Sequence, residues 1–138
     1  MFSRNPKLEE FTRNEIESLT AVDNDHILGF YEVLRSPNNT YFVYEFCNGG
    51  DLEGYFEKKG TLKEDEAMKI FIDLLDAFKA LVEKNIVHRD LKPSNILIHD
   101  GEIKLGDFGF CKQLAGSSSM TRTCLGSPIY MAPEILNA

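Results

Sequence analysis

Apolar positions in the first part of the chain recur at helical spacing. Leu8, Phe11, Leu19 and Val22 fall on one side of a 3.6-residue period, which predicts a helix over residues 6–22. Glu15 lies inside that stripe, four residues from both Phe11 and Leu19. A carboxylate on a buried face needs a partner. The alternative is a helix rotated slightly, so that Glu15 meets water. Short apolar runs follow. Residues 29–34 and 41–46 read as strands, and Ser36-Pro37-Asn38-Asn39 between them is turn chemistry, so an antiparallel hairpin is expected. Asn48-Gly49-Gly50 breaks the second run, and Asp51 opens a short helix that Gly60 closes. The helical period returns over residues 62–84, with Ala67, Phe71, Leu74, Phe78 and Leu81 as the apolar stripe. Thr61 and Glu64 have capping-box spacing there. Residues 95–98 and 103–105 read as strands around Asp100-Gly101, a strong tight-hairpin signal. Residues 115–123 are polar and serine-rich and read as a loop.

Composition narrows the field. A chain of 138 residues with 43% hydrophobic content suffices for one modest domain. The net charge of −7 argues against a general nucleic-acid binder. No apolar run approaches the roughly 20 residues of a membrane span. The opening MFSRNPKLEE has no apolar signal region, and position 2 is not glycine, so a cytoplasmic protein is expected. Cys47, Cys111 and Cys124 form no CxxC pair, which favours reduced thiols over disulfides or a metal site.

Three motifs point to a specific chemistry. HRDLKPSN occupies 88–95, GDFG occupies 106–109 and APE occupies 132–134, in that order. Together they resemble the catalytic half of a eukaryotic serine/threonine protein kinase. The fold this implies is α+β and partial. Residues 1–46 would be the end of the small lobe, with one helix and two strands. Residues 47–138 would be the first half of the helical large lobe, with the hinge, catalytic loop and activation segment. The reaction implied is transfer of the ATP γ-phosphate to serine or threonine hydroxyls of protein substrates. Such chemistry asks for magnesium, positioned phosphates and an aimed hydroxyl rather than covalent help.

By resemblance, Asp90 would accept the hydrogen bond of the substrate hydroxyl, and Lys92 would contact the transferring phosphate. Lysine at this place, in DLKPSN, is similar to serine/threonine rather than tyrosine kinases. Asn95 and Asp107 would share the magnesium ions through hard oxygens. The expected hairpin between them closes a gap of eleven residues, which brings the two side chains together. Glu15 matches the helix glutamate that pairs with a strand lysine. Leu19, Phe30, His88 and Phe108 match an apolar column that stacks in active kinases, and four such residues would equally serve as plain core. Tyr44 matches the gatekeeper, where smaller or aliphatic residues are more usual. Glu45 and Cys47 would offer the backbone carbonyl and N–H that read adenine, Leu97 would floor the base and Asp51 would approach the ribose. Gly109 would permit a backbone reversal after Phe108.

The stretch from Asp107 to Glu134 is similar to a full activation segment. Thr123, three residues before Gly126, matches the activating phosphothreonine, and Arg89 would pair with it. An upstream kinase, or the protein itself, would phosphorylate it; Ser117, Ser118, Ser119 and Thr121 compete for that role. Ser127 and Pro128 match the substrate-docking loop. Glu134 matches the glutamate that anchors the segment to an arginine, which would lie past Ala138. The wording GDFGFCKQL and GSPIYMAPEIL is most similar to the autophagy-initiating kinases and their relatives.

The first glycine is Gly29, so no Gly-rich loop precedes the helix, and Lys7 is the lone lysine before Glu15. These 138 residues are therefore expected to be a kinase fragment, inactive by itself. The rival from another class is a truncated kinase-like binding module without catalysis. A small-molecule phosphotransferase fits poorly, because the activation segment and the Ser127-Pro128 loop serve peptides.

Overall fold

The computed structural model describes residues 13, 16–114 and 126–137. Glu15, Thr123, Cys124 and the expected loop at 115–123 lie outside the described residues, as does most of the first expected helix. Residues 16–21 are helical (α1) and bury Ser18 and Leu19, and Val22 just beyond is buried as well.

Strands β1 (Phe30–Arg35) and β2 (Thr40–Tyr44) form the expected antiparallel hairpin, in register from Arg35 opposite Thr40 to Glu32 opposite Val43, with a bulge at Tyr31 before Phe30 meets Tyr44. The Ser36 hydroxyl accepts from Asn39 N–H at 3.1 Å and Ser36 N–H donates to Asn39 O at 2.8 Å, which closes the turn. Helix α2 (Leu52–Lys59) begins where Asp51 Oδ1 accepts from Gly54 N–H at 2.8 Å. It ends at Gly60, whose φ of 78° suits glycine and whose N–H reaches Phe56 O.

Helix α3 (Glu64–Glu83) follows, with two corrections to the sequence reading. Its cap is Lys63, not Thr61: the Glu66 carboxylate reaches back to Lys63 N–H at 3.4 Å. The apolar stripe is buried only toward the C-terminal half. Leu81 is fully buried and Leu74 and Phe78 half-buried, whereas Ala67 and Phe71 are exposed. The reason is position, since the helix packs its later turns on β5 and on the short strand that follows it.

That short strand, β3 (Ile86–Val87), pairs with β6 (Lys112–Gln113), a two-residue ladder too brief to leave a period in the sequence. Strands β4 (Ile96–His99) and β5 (Glu102–Leu105) form the second expected hairpin. Asp100 and Gly101 at its tip both have positive φ, 50° and 85°, as a mirror-image two-residue turn requires. A link not foreseen runs beside it: Leu28 N–H donates to Leu105 O and Leu105 N–H to His26 O, at 2.9 and 2.8 Å. The segment after α1 is thereby laid parallel to β5. One core cluster holds Leu19, Val22 and Ile27 together with Leu81, Ile86, Ile96, Leu105, Phe108 and Cys111. A last short helix, α4 (Pro133–Leu136), follows a single 3-10 turn at Pro128–Tyr130.

Candidate active site

Between β3 and β4 the backbone forms no regular structure until the 3-10 turn Pro93–Asn95. Asn95 closes that turn rather than lying in the strand, as its sequence had suggested. Such a stretch must satisfy its polar groups by side chains. His88, Asp90 and Asn95 are buried, and each is accounted for. His88 Nε2 lies 2.9 Å from Gly106 O, and its ring meets Phe108 edge-on with centroids 5.2 Å apart. Burial and the Gly106 contact pull its pKa in opposite directions; burial dominates and lowers it.

Asp90 is the centre of the network. Its Oδ2 accepts from Asn95 Nδ2 at 3.0 Å and faces Lys92 Nζ at 2.8 Å. Its Oδ1 accepts from Ser127 N–H at 2.7 Å. Lys92 also donates to the Ser127 hydroxyl at 3.0 Å. Burial by itself would raise the Asp90 pKa; the bonds from Lys92, Ser127 and Asn95 outweigh it and hold the carboxyl at about 2. The carboxylate is thus ionised and aimed, an acceptor at every ordinary pH. Lys92 is in turn pushed up, chiefly by Asp90.

The strap that brings Ser127 over this loop depends on Gly126. Its φ is 117°, and a Cβ there would stand 2.3 Å from Arg89 O. Arg89 itself is left-handed, with φ 67°, and its Nε donates to Phe110 O at 2.6 Å. Arg89 therefore ties the HRD loop to the segment after Phe108. Burial lowers the guanidinium pKa.

Gly106 N–H donates to Asn95 O at 2.8 Å, one step beyond the Ile96–Leu105 pair of the β4–β5 ladder. Asn95 and Asp107 consequently flank the same end of the hairpin, as expected. Asn95 spends its amide NH2 on Asp90, through both Oδ2 and the backbone oxygen, which leaves its own side-chain oxygen for another ligand. Asp107 is exposed and left-handed at φ 58°, with Oδ1 accepting from Gly109 N–H at 3.4 Å. The left-handed residue of this turn is Asp107, and Gly109 lies within the 3-10 turn Phe108–Phe110 that follows. These are hard oxygen donors, the kind magnesium takes along with water. Among the described residues no group of three or more His, Cys, Asp or Glu side chains gathers in a way that could hold a metal ion.

The residues expected at the nucleotide fall along residues 45–51 and β4. Glu45 N–H donates to Gly29 O at 2.7 Å, while no backbone hydrogen bond among the described residues uses Glu45 O or Cys47 N–H. Gly49 N–H donates to Ile98 O and Ile98 N–H to Gly50 O, both at 2.8 Å, which stitches this segment to β4. Asp51 lies opposite Leu97 in an isolated bridge. The Tyr44 ring packs on Phe30 and Phe42, at centroid distances of 5.7 and 6.2 Å. Leu19 and Phe108 share the core cluster, and Phe30 packs against it. Glu134 is exposed in the first turn of α4. Sequence reasoning missed Asn24, whose amide donates to Asp76 on α3 at 2.7 Å, and His26, which touches Ile103 O at 3.2 Å. Neither lies in a motif.

A catalytic loop of this geometry facing an Asp-Phe-Gly turn defines a protein kinase domain. The chain belongs to that family, whose description "Protein kinase domain" matches residues 3–138. Serine/threonine-protein kinase ATG1a of Arabidopsis thaliana is 40% identical over 135 residues, covering 95% of this chain and 21% of the relative. Serine/threonine-protein kinase unc-51 of Caenorhabditis elegans is 39% identical over 132 residues, 88% of this chain and 15% of the relative. Serine/threonine protein kinase OSK3 of Oryza sativa subsp. indica is 38% identical over 135 residues, 97% of this chain and 26% of the relative. The chain thus spans about a quarter or less of the length of these relatives. No helix among the described residues is long and apolar enough to cross a membrane.

Proposed function

We propose that this protein bears the catalytic loop, hinge and activation segment of a serine/threonine kinase that moves the ATP γ-phosphate onto protein hydroxyls. The observation that carries the reading is the Asp90 carboxylate. It is buried, ionised and held from three directions, while Lys92 and Ser127 sit beside it. Asp90 orients the incoming hydroxyl and accepts its hydrogen bond. Lys92 steadies negative charge at the transferring phosphate. Asn95 Oδ1 and the Asp107 carboxylate hold magnesium, which when bound neutralises phosphate charge. Glu45 O and Cys47 N–H are the acceptor and donor for adenine, Leu97 supports the base and Asp51 lies toward the ribose.

Residues 1–46 form the small-lobe part and residues 47–138 the large-lobe part. Arg89 is the partner for phosphorylated Thr123, Ser127 meets the substrate, and Glu15 and Glu134 occupy the places of the family's lysine-pairing helix glutamate and segment-anchoring glutamate. Phe108 packed on His88 is the productive arrangement of the Asp-Phe-Gly turn. The substrates are cytoplasmic proteins, and the relatives named ATG1a and unc-51 favour that branch of the kinases.

The test is transfer from γ-labelled ATP with magnesium to a serine- or threonine-bearing protein substrate, by the protein isolated from its source. Replacing Asp90 by Asn should lower kcat about a hundredfold or more with little change in KM for ATP. Undiminished transfer by Asp90→Asn would sink the assignment.

A further inference from the structure

We propose that the side chains of Glu45 and Lys104 form a positioning latch behind the hinge, holding residues 45–47 where their backbone can meet a purine. The inference rests on the adenine-reading role proposed above for Glu45 O and Cys47 N–H. It gives the Glu45 carboxylate a separate task, and it makes Lys104 functional although no motif contains it.

Residue 45 is tied twice to the backbone of one residue and once to another strand. Its N–H donates to Gly29 O at 2.7 Å, and its Oε2 accepts from Gly29 N–H at 3.1 Å. Its Oε1 meets Lys104 Nζ at 3.1 Å. Gly29 precedes β1 on the small-lobe side, whereas Lys104 is in β5 on the large-lobe side. One carboxylate thus pins the connection between the two to both of its neighbours. Lys104 stands opposite Leu97, the proposed adenine floor, in the β4–β5 register. Ile103 and Leu105 on either side of it turn into the core, so alternation sends Lys104 to the opposite face, where Glu45 lies.

The pair is not an ordinary surface contact. The side chains are only 15% and 19% exposed, so water screens them little. Burial would raise the Glu45 pKa, yet the Gly29 N–H and Lys104 together bring it below its ordinary value. Space is tight as well: a Cβ at position 29 would lie 3.2 Å from Glu45 Oε2. With Lys104 removed, the carboxylate keeps Gly29 among the described residues, and residue 45 loses its tie to β5, so that the nearest anchor on that side is the Gly49–Ile98 pair.

Two readouts on the purified protein test this, with adenosine as the probe because it has no phosphates. Lys104→Met, and separately the isosteric Glu45→Gln, should each weaken adenosine binding about tenfold, the scale of losing one charge-assisted contact. The double variant should be no worse than the worse single variant, because both remove one interaction. Hydrogen exchange at the Gly29 and Glu45 amides should quicken about tenfold in Lys104→Met on the same scale, while amides of α3 keep their rates. Lys104→Arg should restore both. Lys69→Met removes the same charge from an exposed lysine that contacts Gly101 O, and it should move neither readout. Adenosine affinity and exchange in Lys104→Met equal to those in Lys69→Met would overturn the latch, as would strictly additive losses. If the parent protein takes up no adenosine, the adenine reading fails. The latch is then decided by exchange alone: faster exchange at Gly29 and Glu45 upholds it, and unchanged exchange overturns it.

Discussion

The catalytic loop and the β1–β2 hairpin are built on opposite terms. The hairpin is laddered, local and poorly covered: Tyr31, Leu34 and Tyr41 are 67, 49 and 52% exposed. Ladder bonds, the Ser36–Asn39 turn and a short aromatic row along Phe30, Phe42 and Tyr44 hold it together. The loop from His88 to Asn95 is irregular, yet His88, Asp90 and Asn95 are nearly fully buried. Its order comes from side chains bonding to backbone and to one another across long stretches of sequence. A strand ladder is therefore a poor guide to burial in this molecule. Where polar groups are buried without a ladder, each must find a specific partner, and losing one partner strands the other.

That contrast can be broken at several points. The largest effect should come from the apolar footing of the loop. Phe108→Ala empties a buried site against His88 and should cost about 3–5 kcal/mol in a urea titration of the protein. A cost below about 1 kcal/mol would show that the Asp-Phe-Gly turn is not part of the core.

Next comes the strap. Gly126→Ala places a methyl 2.3 Å from Arg89 O at a positive φ. It should lower stability by about 2–4 kcal/mol and release Ser127 from Asp90. An NMR spectrum in which the Ser127 amide keeps its shift would contradict this.

The third effect is titrational. The Asp90 carboxyl sits at about 2 in the folded protein, below its ordinary 3.8. A depressed value means that its stabilisation is complete above 3.8 and drains away as the pH falls from there toward 2. Roughly 2 kcal/mol should be lost across that window. Asp90→Asn should flatten that part of the acid limb, and an unchanged limb would mean that the carboxylate is not held as described.

The smallest effect should be on the hairpin. Tyr41→Ser, on its exposed edge, should change stability by no more than about 0.5 kcal/mol. A loss as large as that of Gly126→Ala would erase the distinction between the two regions.

Much of this architecture was legible in the residues. Both hairpins announced themselves through turn chemistry, and Asp51 and Gly60 marked the two ends of α2, because caps and turns are decided by neighbours a few residues apart. The motifs at 88–95 and 106–109 pointed to Asp90, Lys92, Asn95 and Asp107 through their resemblance to those of the protein kinases. The stripe of α3 was read correctly in direction and too generously in extent. Period reports which residues share a face, not whether another element covers it. Phe71 lies on that face and meets water.

Other features exist only after folding. The β3–β6 pair is two residues long on each side, and the run of residues 26–28 beside β5 joins segments far apart in sequence. Ser127 N–H on Asp90, Arg89 on Phe110 O and Lys104 on Glu45 likewise cross long separations. The linear order of residues carried the resemblance to kinases, with the four polar residues it implies, and the local elements, which depend on residue type and short spacing. Tertiary structure decided which buried polar atoms meet, which apolar faces are covered and which charges are held away from their ordinary pKa. Those outcomes depend on distance and dielectric, which a linear order of residues does not carry.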